Sequence, residues 1–194
     1  MARSSEDSRK RLQQAAMELF RERGYVDTTA AEIAARAGVT ERTFFRHFSD
    51  KKEVLFAGED ELRQTLRDAV AQAPSGLDPL GAVLCGLIAI CPLLEAARPH
   101  LEARRLVIEA SAALQERETA KIAAMVEDLS RTIVCRGADQ ARAALAAQMG
   151  LASLGYAMRL WAGAPESRLQ THLEGALRQM RSLIAGVSLT DAPS

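Results

Sequence analysis

The chain has 194 residues, which is enough for one or two domains with a sizeable core. Hydrophobic residues make up 48% of it and aromatic residues only 4%, and a composition rich in Ala and Leu favours helices over sheets. The formal net charge is zero, which excludes a positive field over the whole protein, so any binding of nucleic acid must depend on local basic residues.

The N-terminal quarter of the chain predicts three short helical elements. Apolar residues recur at helical spacing over residues 5–23, and Gly24 closes this first helix. Thr29 and Glu32 have the spacing of a capping box, which starts a second helix that ends at Gly38. Thr40 is a suitable N-cap for the third helix. This order is typical of a DNA-binding helix-turn-helix, although an ordinary αα-hairpin has the same spacing.

The remainder of the chain predicts further helices and no strand. The clearest linker is residues 73–79, where Pro, Ser, Gly and Asp occur together, and residues 190–194 are expected to form a frayed tail. The later helices are expected over residues 51–72, 81–94, 98–111, 114–135, 139–162 and 166–185. The fold class is therefore all-α, with about nine helices.

Three blocks of residues carry a resemblance to a known family. They are AAMELFRERGY at 15–25, TTAAEIAARAGV at 28–39 and TFFRHFSDKKEVL at 43–55. In this order they closely resemble the N-terminal domain of the TetR family of bacterial transcription regulators. The resemblance implies a helix-turn-helix DNA-binding domain over residues 1–56 and a helical ligand-binding and dimerisation domain over residues 57–194.

The chain departs from the family pattern at one pair of residues. The family usually has Leu-Tyr or Phe-Tyr before its His-Phe pair, whereas this chain has Phe44-Phe45. We associate this variant with an actinobacterial branch of the family. Because Phe44, Phe45 and Phe48 cannot share one helix face, some of them must pack inward while others line the flank.

The helix-turn-helix supplies the candidate DNA contacts. Arg42 and Thr43 lie near the N-terminus of the recognition helix, from where side chains reach base edges, and Arg46 and His47 follow one turn later. The resemblance implies that Lys51 is the phosphate-binding lysine of the family. The complete candidate set is Thr29, Thr40, Arg42, Thr43, Arg46, His47 and Lys51.

The C-terminal part carries a weaker resemblance. Residues 100–129 are similar to a branch of the TetR family proposed to bind fatty acyl-coenzyme A or similar acyl ligands. A pocket for such a small hydrophobic effector needs apolar walls and a few polar groups, but the same residues would also form a dry core. The candidate ligand residues are Leu84, Ile88, Arg104, Arg105, Glu109, Tyr156 and Trp161.

The last two helices have an apolar stripe, and Gly150 and Gly155 are expected to allow a second helix to approach closely. In the TetR family, these two helices form a four-helix bundle with the partner of a homodimer. A single chain could also bury the stripe within itself.

Several features bear on location and chemistry. The apolar run from Gly81 to Leu94 is too short to span a membrane and contains Pro92, and the polar N-terminus predicts no secretory signal. Cys85, Cys91 and Cys135 form no CxxC pair, which indicates reduced thiols and a cytoplasmic location, with a redox sensor as the alternative. The three histidines form no metal or catalytic motif, so we expect no metal, no cofactor and no enzymatic activity.

Together these features predict a homodimeric transcription regulator. It would be a repressor that a small hydrophobic effector, such as acyl-coenzyme A or a fatty acid, releases from a pseudo-palindromic double-stranded DNA operator. The alternative is an effector-independent regulator, or one gated by oxidation of its cysteines.

Overall fold

A computed structural model describes residues 2–164 and 166–185, with the backbone alone for residues 2–5. The described residues form ten α-helices and no β-strand, which confirms the all-α fold class. The helices are α1 (Ala2–Arg23), α2 (Ala30–Arg36), α3 (Glu41–His47), α4 (Lys51–Leu55), α5 (Glu59–Ala71), α6 (Pro79–Ala96), α7 (Arg98–Glu109), α8 (Ala112–Cys135), α9 (Gln140–Ala162) and α10 (Leu169–Ala185). The tail expected over residues 190–194 lies outside the described residues.

The helix expected over residues 51–72 is broken into α4 and α5. The break lies at Gly58, whose φ of +90° belongs to the left-handed region that glycine adopts without steric cost. The prediction of one continuous helix was wrong because the apolar spacing continues across the break. Pro92, by contrast, does not end its helix, since α6 continues to Ala96.

Side-chain caps start several helices where the sequence predicts them. Glu32 accepts a hydrogen bond from the Thr29 backbone N–H at 2.9 Å, and Thr29 Oγ1 accepts one from the Glu32 N–H at 3.2 Å, which completes the capping box of α2. Thr40 caps α3 by accepting from the Thr43 N–H at 3.2 Å. Asp139 caps α9 in the same way, so these starts depend on residues only three positions apart.

The helices group into two compact units, and each unit combines two separate segments of the chain. The first unit contains Met1–Glu61 and Ala97–Lys121, and the second contains Leu62–Ala96 and Ile122–Ser194. In the first unit, Val107 and Ile108 of α7 share one buried core with the apolar residues of α1, α2, α3 and α4. The division into domains at residue 56 remains a prediction, and the contacts add α7 and the start of α8 to the unit that holds the helix-turn-helix.

In the second unit, α6 packs closely against α5, α9 and α10. A Cβ atom on Gly150 would lie 2.3 Å from Cγ1 of Val83, and one on Gly86 would lie 2.5 Å from Cγ2 of Val70. Only glycine allows these crossings, because any larger side chain would overlap the neighbouring helix. Gly150 thus allows the close approach of a second helix that the sequence predicts, and that helix is α6 of the same chain.

The helix α6 is the most apolar element among the described residues. Its 18 residues have a mean hydropathy of 2.0 and are long and apolar enough to cross a membrane by length and composition. A buried core helix has the same properties, and the side chains of Val83, Leu87 and Ile90 are buried within the second unit. The packing of α6 against α9 and α10 identifies it as such a core helix.

Candidate nucleic-acid interface and ligand-binding residues

The helix α3 presents one polar face and buries the opposite one. Phe44 is 0% exposed and Phe48 is 4% exposed, and both belong to the core of the first unit. Their burial turns Arg42, Phe45 and Arg46 to solvent, because residues three and four positions apart share a helix face. The sequence left open which phenylalanines point inward, and the structure assigns Phe45 to the exposed face.

The predicted DNA-binding residues Thr40, Arg42, Thr43 and Arg46 lie together on α3 and its cap. The hydroxyl groups of Thr40 and Thr43 are 3.0 Å apart, and Thr40 holds the first turn of the helix. Arg42 and Arg46 are exposed and add positive charge to the same face. Such a short helix with exposed arginines can reach base edges and phosphates in the major groove.

The helix α2 is held against α1 by ion pairs. Arg36 donates two hydrogen bonds to Glu22, at 3.0 and 2.8 Å, and these bonds lower the pKa of the Glu22 carboxyl. Thr29, another predicted DNA contact, is exposed at the start of α2, and its hydroxyl donates to Glu32. The ion pairs with Arg36 join the exposed sides of α1 and α2, and the contact of Thr29 lies within the cap of α2.

His47 is half-buried at the end of α3. Burial lowers the pKa of its imidazole, and the positive charges of Arg46 and Arg9 lower it further. Its Nε2 atom is buried and has no hydrogen-bond partner among the described residues. His47 is therefore neutral at neutral pH and adds no charge to the exposed face.

Lys51 is tied to the loop between α1 and α2. Its ammonium donates to the carbonyl oxygens of Tyr25 at 2.8 Å, Val26 at 3.0 Å and Thr28 at 2.8 Å. It also lies 4.5 Å from the centre of the Tyr25 ring. Because an ammonium has only three N–H donors, these carbonyls use all of them. The phosphate-binding role of Lys51 remains a prediction, and the contacts support a role in holding the loop.

Among the predicted ligand residues, Arg104 is held by contacts within the first unit. Its guanidinium donates to the carbonyl oxygen of Leu55 at 2.9 Å, to Glu59 at 2.6 Å and to Glu118. It also lies 4.8 Å from the centre of the Phe56 ring, and its side chain is only 13% exposed. These acceptors already satisfy the guanidinium, which disfavours Arg104 as the partner of an acidic ligand group.

The other predicted ligand residues are divided between the two units. In the first unit, Arg105 forms an exposed ion pair with Glu109 at 2.6 Å on the surface of α7. In the second unit, Trp161 is buried and its Nε1 donates to the carbonyl oxygen of Ser167 at 2.9 Å, so it belongs to the interior. Leu84 and Ile88 are partly exposed on α6, and Tyr156 is exposed on α9. The ligand role of all seven residues remains a prediction.

Sequence reasoning missed a cationic cluster around Phe56, in the segment between α4 and α5. Besides Arg104, the guanidinium of Arg117 lies 5.4 Å and the ammonium of Lys121 lies 3.9 Å from the centre of this buried ring. Lys121 also pairs with Glu59 at 2.8 Å. The positions that meet here are far apart in the chain, so no local sequence pattern could have identified the cluster.

The remaining candidate groups are the cysteines and the clusters of acidic residues. Burial raises the pKa of the Cys91 thiol to about 11, which keeps it protonated, whereas Cys135 is exposed. Across the part of the chain that the structure describes, no group of His, Cys, Asp and Glu side chains could hold a metal ion.

Comparison with known proteins finds a family match for the N-terminal part of the chain. Residues 12–57 match the model of the family described as bacterial regulatory proteins, tetR family. The HTH-type transcriptional regulator TcmR of Streptomyces glaucescens is 38% identical over 76 residues, which are 39% of this chain and 34% of TcmR. The matched region thus spans about a third of the length of that relative, and it contains the helix-turn-helix.

Solved structures extend the similarity to the whole fold. SmeT of Stenotrophomonas maltophilia in complex with triclosan has a TM-score of 0.65 and 22% identity, over 96% of this chain and 99% of SmeT. FadR of Thermus thermophilus in complex with lauroyl-CoA has a TM-score of 0.50 and 24% identity, over 96% and 98% of the two chains. At these identities the likeness concerns the fold alone. The family match itself is confined to α1 to α4, so residues 12–57 form a region that belongs with the bacterial regulatory proteins of the tetR family.

Proposed function

We propose that the protein is a transcription regulator that binds an operator through α3 and represses the genes that this operator controls. The observation that carries this proposal is the exposed face of α3, where Arg42, Phe45 and Arg46 stand outward while Phe44 and Phe48 anchor the helix in the core. TcmR is named a transcriptional regulator and SmeT the repressor of a multidrug efflux pump, which supports the same role here. A cytoplasmic location follows from this role.

We further propose that the regulator acts as a homodimer through α9 and α10. The exposed side chains of Leu145, Tyr156 and Leu160 form an apolar face on α9, and Leu183 and Ile184 are exposed near the end of α10. A second copy of the chain is the partner that would cover this face. A twofold axis would then hold two α3 helices about 34–36 Å apart, so that each enters a major groove on the same side of the duplex.

The effector is proposed to be a small hydrophobic molecule bound by the second unit. The structures of SmeT with triclosan and of Thermus FadR with lauroyl-CoA support this class of ligand. In this chain, the partly exposed Leu84 and Ile88 on α6 are candidates for apolar contacts. Arg104 belongs to the first unit and is engaged by two carboxylates there, so it is not assigned to the acidic group of an acyl ligand.

The proposal is tested by selecting duplexes from a random-sequence DNA pool with the purified protein. We expect recovery of a pseudo-palindrome, and the combined Arg42→Ala and Arg46→Ala substitutions should remove the sequence preference. Arg105→Ala is the matched control, because it removes one exposed arginine from α7 and should leave the preference unchanged. Titrating the complex with lauroyl-CoA and with triclosan then tests the effector class. A wild type that recovers no shared sequence would contradict the proposed function.

A further inference from the structure

We propose that Phe45 is a specificity-determining residue that recognises the methyl group of a thymine in the major groove. This inference rests on the proposed function, because it requires α3 to be the recognition helix. It concerns a residue that the predicted set of DNA contacts does not contain, and it assigns a base type to one position of each half-site.

The placement of Phe45 is unusual for an aromatic residue. Phe45 is 52% exposed, although it is apolar and its neighbours on α3, Arg42 and Arg46, are charged and exposed. Arg42 precedes Phe45 by three positions and Arg46 by four, so it is the neighbour of both on the exposed surface of α3. If α3 docks Arg42 and Arg46 against DNA, the Phe45 ring is brought to the same surface of the duplex.

The ring of Phe45 is supported from behind. Its centre lies 5.3 Å from the centre of the Phe44 ring, with an angle of 84° between the two planes, which is a favourable edge-to-face contact. Phe44 is fully buried and contacts Phe48, whose ring centre is 5.7 Å away. The exposed ring thus packs against a ring that is fixed in the core, and this contact favours the observed orientation of Phe45.

The chemistry of the ring selects its partner. A phenyl group has no hydrogen-bond donor or acceptor, so it cannot bond a phosphate oxygen or the polar edge of a base. The major groove presents one apolar group on its bases, the C5-methyl group of thymine, and phenylalanine is one of the side chains that contact it. The neighbouring Arg42 and Arg46 can bond guanine edges or phosphates, which would hold the ring against an adjacent base.

The contact is tested with a duplex recovered by the wild type from the random pool. Each thymine is replaced singly by deoxyuridine, which removes the methyl group and keeps the hydrogen-bonding edges. We expect one position in each half-site to lose about fourfold in affinity for the wild type, the effect of one buried methyl-sized group. Phe45→Ala should weaken binding to the thymine duplex and abolish the difference between thymine and deoxyuridine at that position.

Two controls distinguish the possible results of this test. Glu41→Ala changes another exposed residue of α3 and should preserve the difference, and circular dichroism during heating should show that Phe45→Ala leaves the fold intact. A wild type that selects a sequence but is insensitive to deoxyuridine at every position would overturn this inference alone. A difference that persists in Phe45→Ala would also overturn it. A wild type with no sequence preference would overturn the proposed function and this inference together.

Discussion

The side-chain ammonium of Lys51 lies 2.8 Å from the carbonyl oxygen of Thr28 and donates a hydrogen bond to it. The same ammonium donates to Tyr25 and Val26, so the start of α4 is joined to the loop that precedes α2. This loop sets the position of the first helix of the helix-turn-helix. Lys51 therefore holds the loop that precedes α2 in place.

Replacing Lys51 by Met is expected to lower the free energy of unfolding by about 1–2 kcal/mol. The substitution keeps much of the aliphatic stem but leaves three carbonyl oxygens without their charged donor, and hydrogen bonds of this kind contribute on that scale. Urea unfolding followed by circular dichroism measures the change. Lys52→Met is the matched control, because it removes the same charge from the next residue. A Lys51→Met protein of unchanged stability whose DNA affinity depends less steeply on salt would identify Lys51 as a phosphate contact instead.

Arg42 is expected to discriminate between bases. Arg42→Ala should cost about 1–3 kcal/mol on the preferred duplex and relax the preference at one position, as the loss of a bidentate contact to guanine does. Fluorescence anisotropy with the preferred duplex and with single-base variants measures this. An equal loss on every sequence would show that Arg42 contacts phosphate.

The proposed dimer interface is tested on the exposed face of α9. Leu160→Glu is expected to produce monomers and to abolish operator binding, because a charge would be buried against the second copy. Leu106→Glu introduces the same change at an exposed leucine of α7 and should leave the dimer intact. Leu173→Arg would not be informative, since Leu173 is 0% exposed within its own chain and a charge there would disrupt the core. Sedimentation that finds the wild type monomeric at micromolar concentration would contradict the proposed dimer.

Arg104 is expected to stabilise the folded protein. Arg104→Met should lower the free energy of unfolding by about 1–3 kcal/mol, because Glu59 and Glu118 would lose their partly buried partner. Arg105→Met changes an exposed pair and should stay within about 0.5 kcal/mol of the wild type. Thermal and urea unfolding of both variants measure the contrast. Equal stabilities would argue against the role of Arg104 in the cluster around Phe56.

Stability is expected to fall as the pH drops below about 6.5, the ordinary pKa of histidine. Burial lowers the pKa of both His47 and His100 in the folded protein, and nearby arginines lower it further. The unfolded chain therefore takes up protons at a higher pH than the folded chain, so acid favours unfolding. Unfolding titrations between pH 7.5 and 5.5 measure this slope. His47→Gln and His100→Gln should each flatten it, and a slope unchanged in both would contradict these pKa directions.

Local sequence patterns predicted the starts of the helices well. The caps of α2 and α9 depend on Thr29 with Glu32 and on Asp139, and these are residues within one turn of the bonds they make. The break at Gly58 was missed because apolar spacing alone does not reveal a residue with positive φ. A glycine within a helical pattern is compatible with both outcomes, and the contacts around it decide between them.

The parts of the candidate sites that could not be predicted depend on contacts between distant residues. Arg104 was expected at a ligand because it is a charged residue in an apolar region, yet its partners Leu55 and Glu59 are more than forty residues away in the chain. Gly150 indicated a close helix crossing, and only the fold identifies Val83 of α6 as the neighbour. Small and charged residues therefore indicate that a contact exists, and the tertiary structure selects the partner.

The proposed recognition of DNA by two α3 helices that a twofold axis relates is tested most directly by changing the spacing of the half-sites. Anisotropy titrations would compare the preferred duplex with one in which about five base pairs, half a helical turn, are inserted at its centre. We predict two chains per duplex and an affinity for the inserted duplex that falls to that for unrelated DNA, because the second helix would face away from its half-site. Equal affinity for the two duplexes would contradict a dimer that reads both half-sites at once.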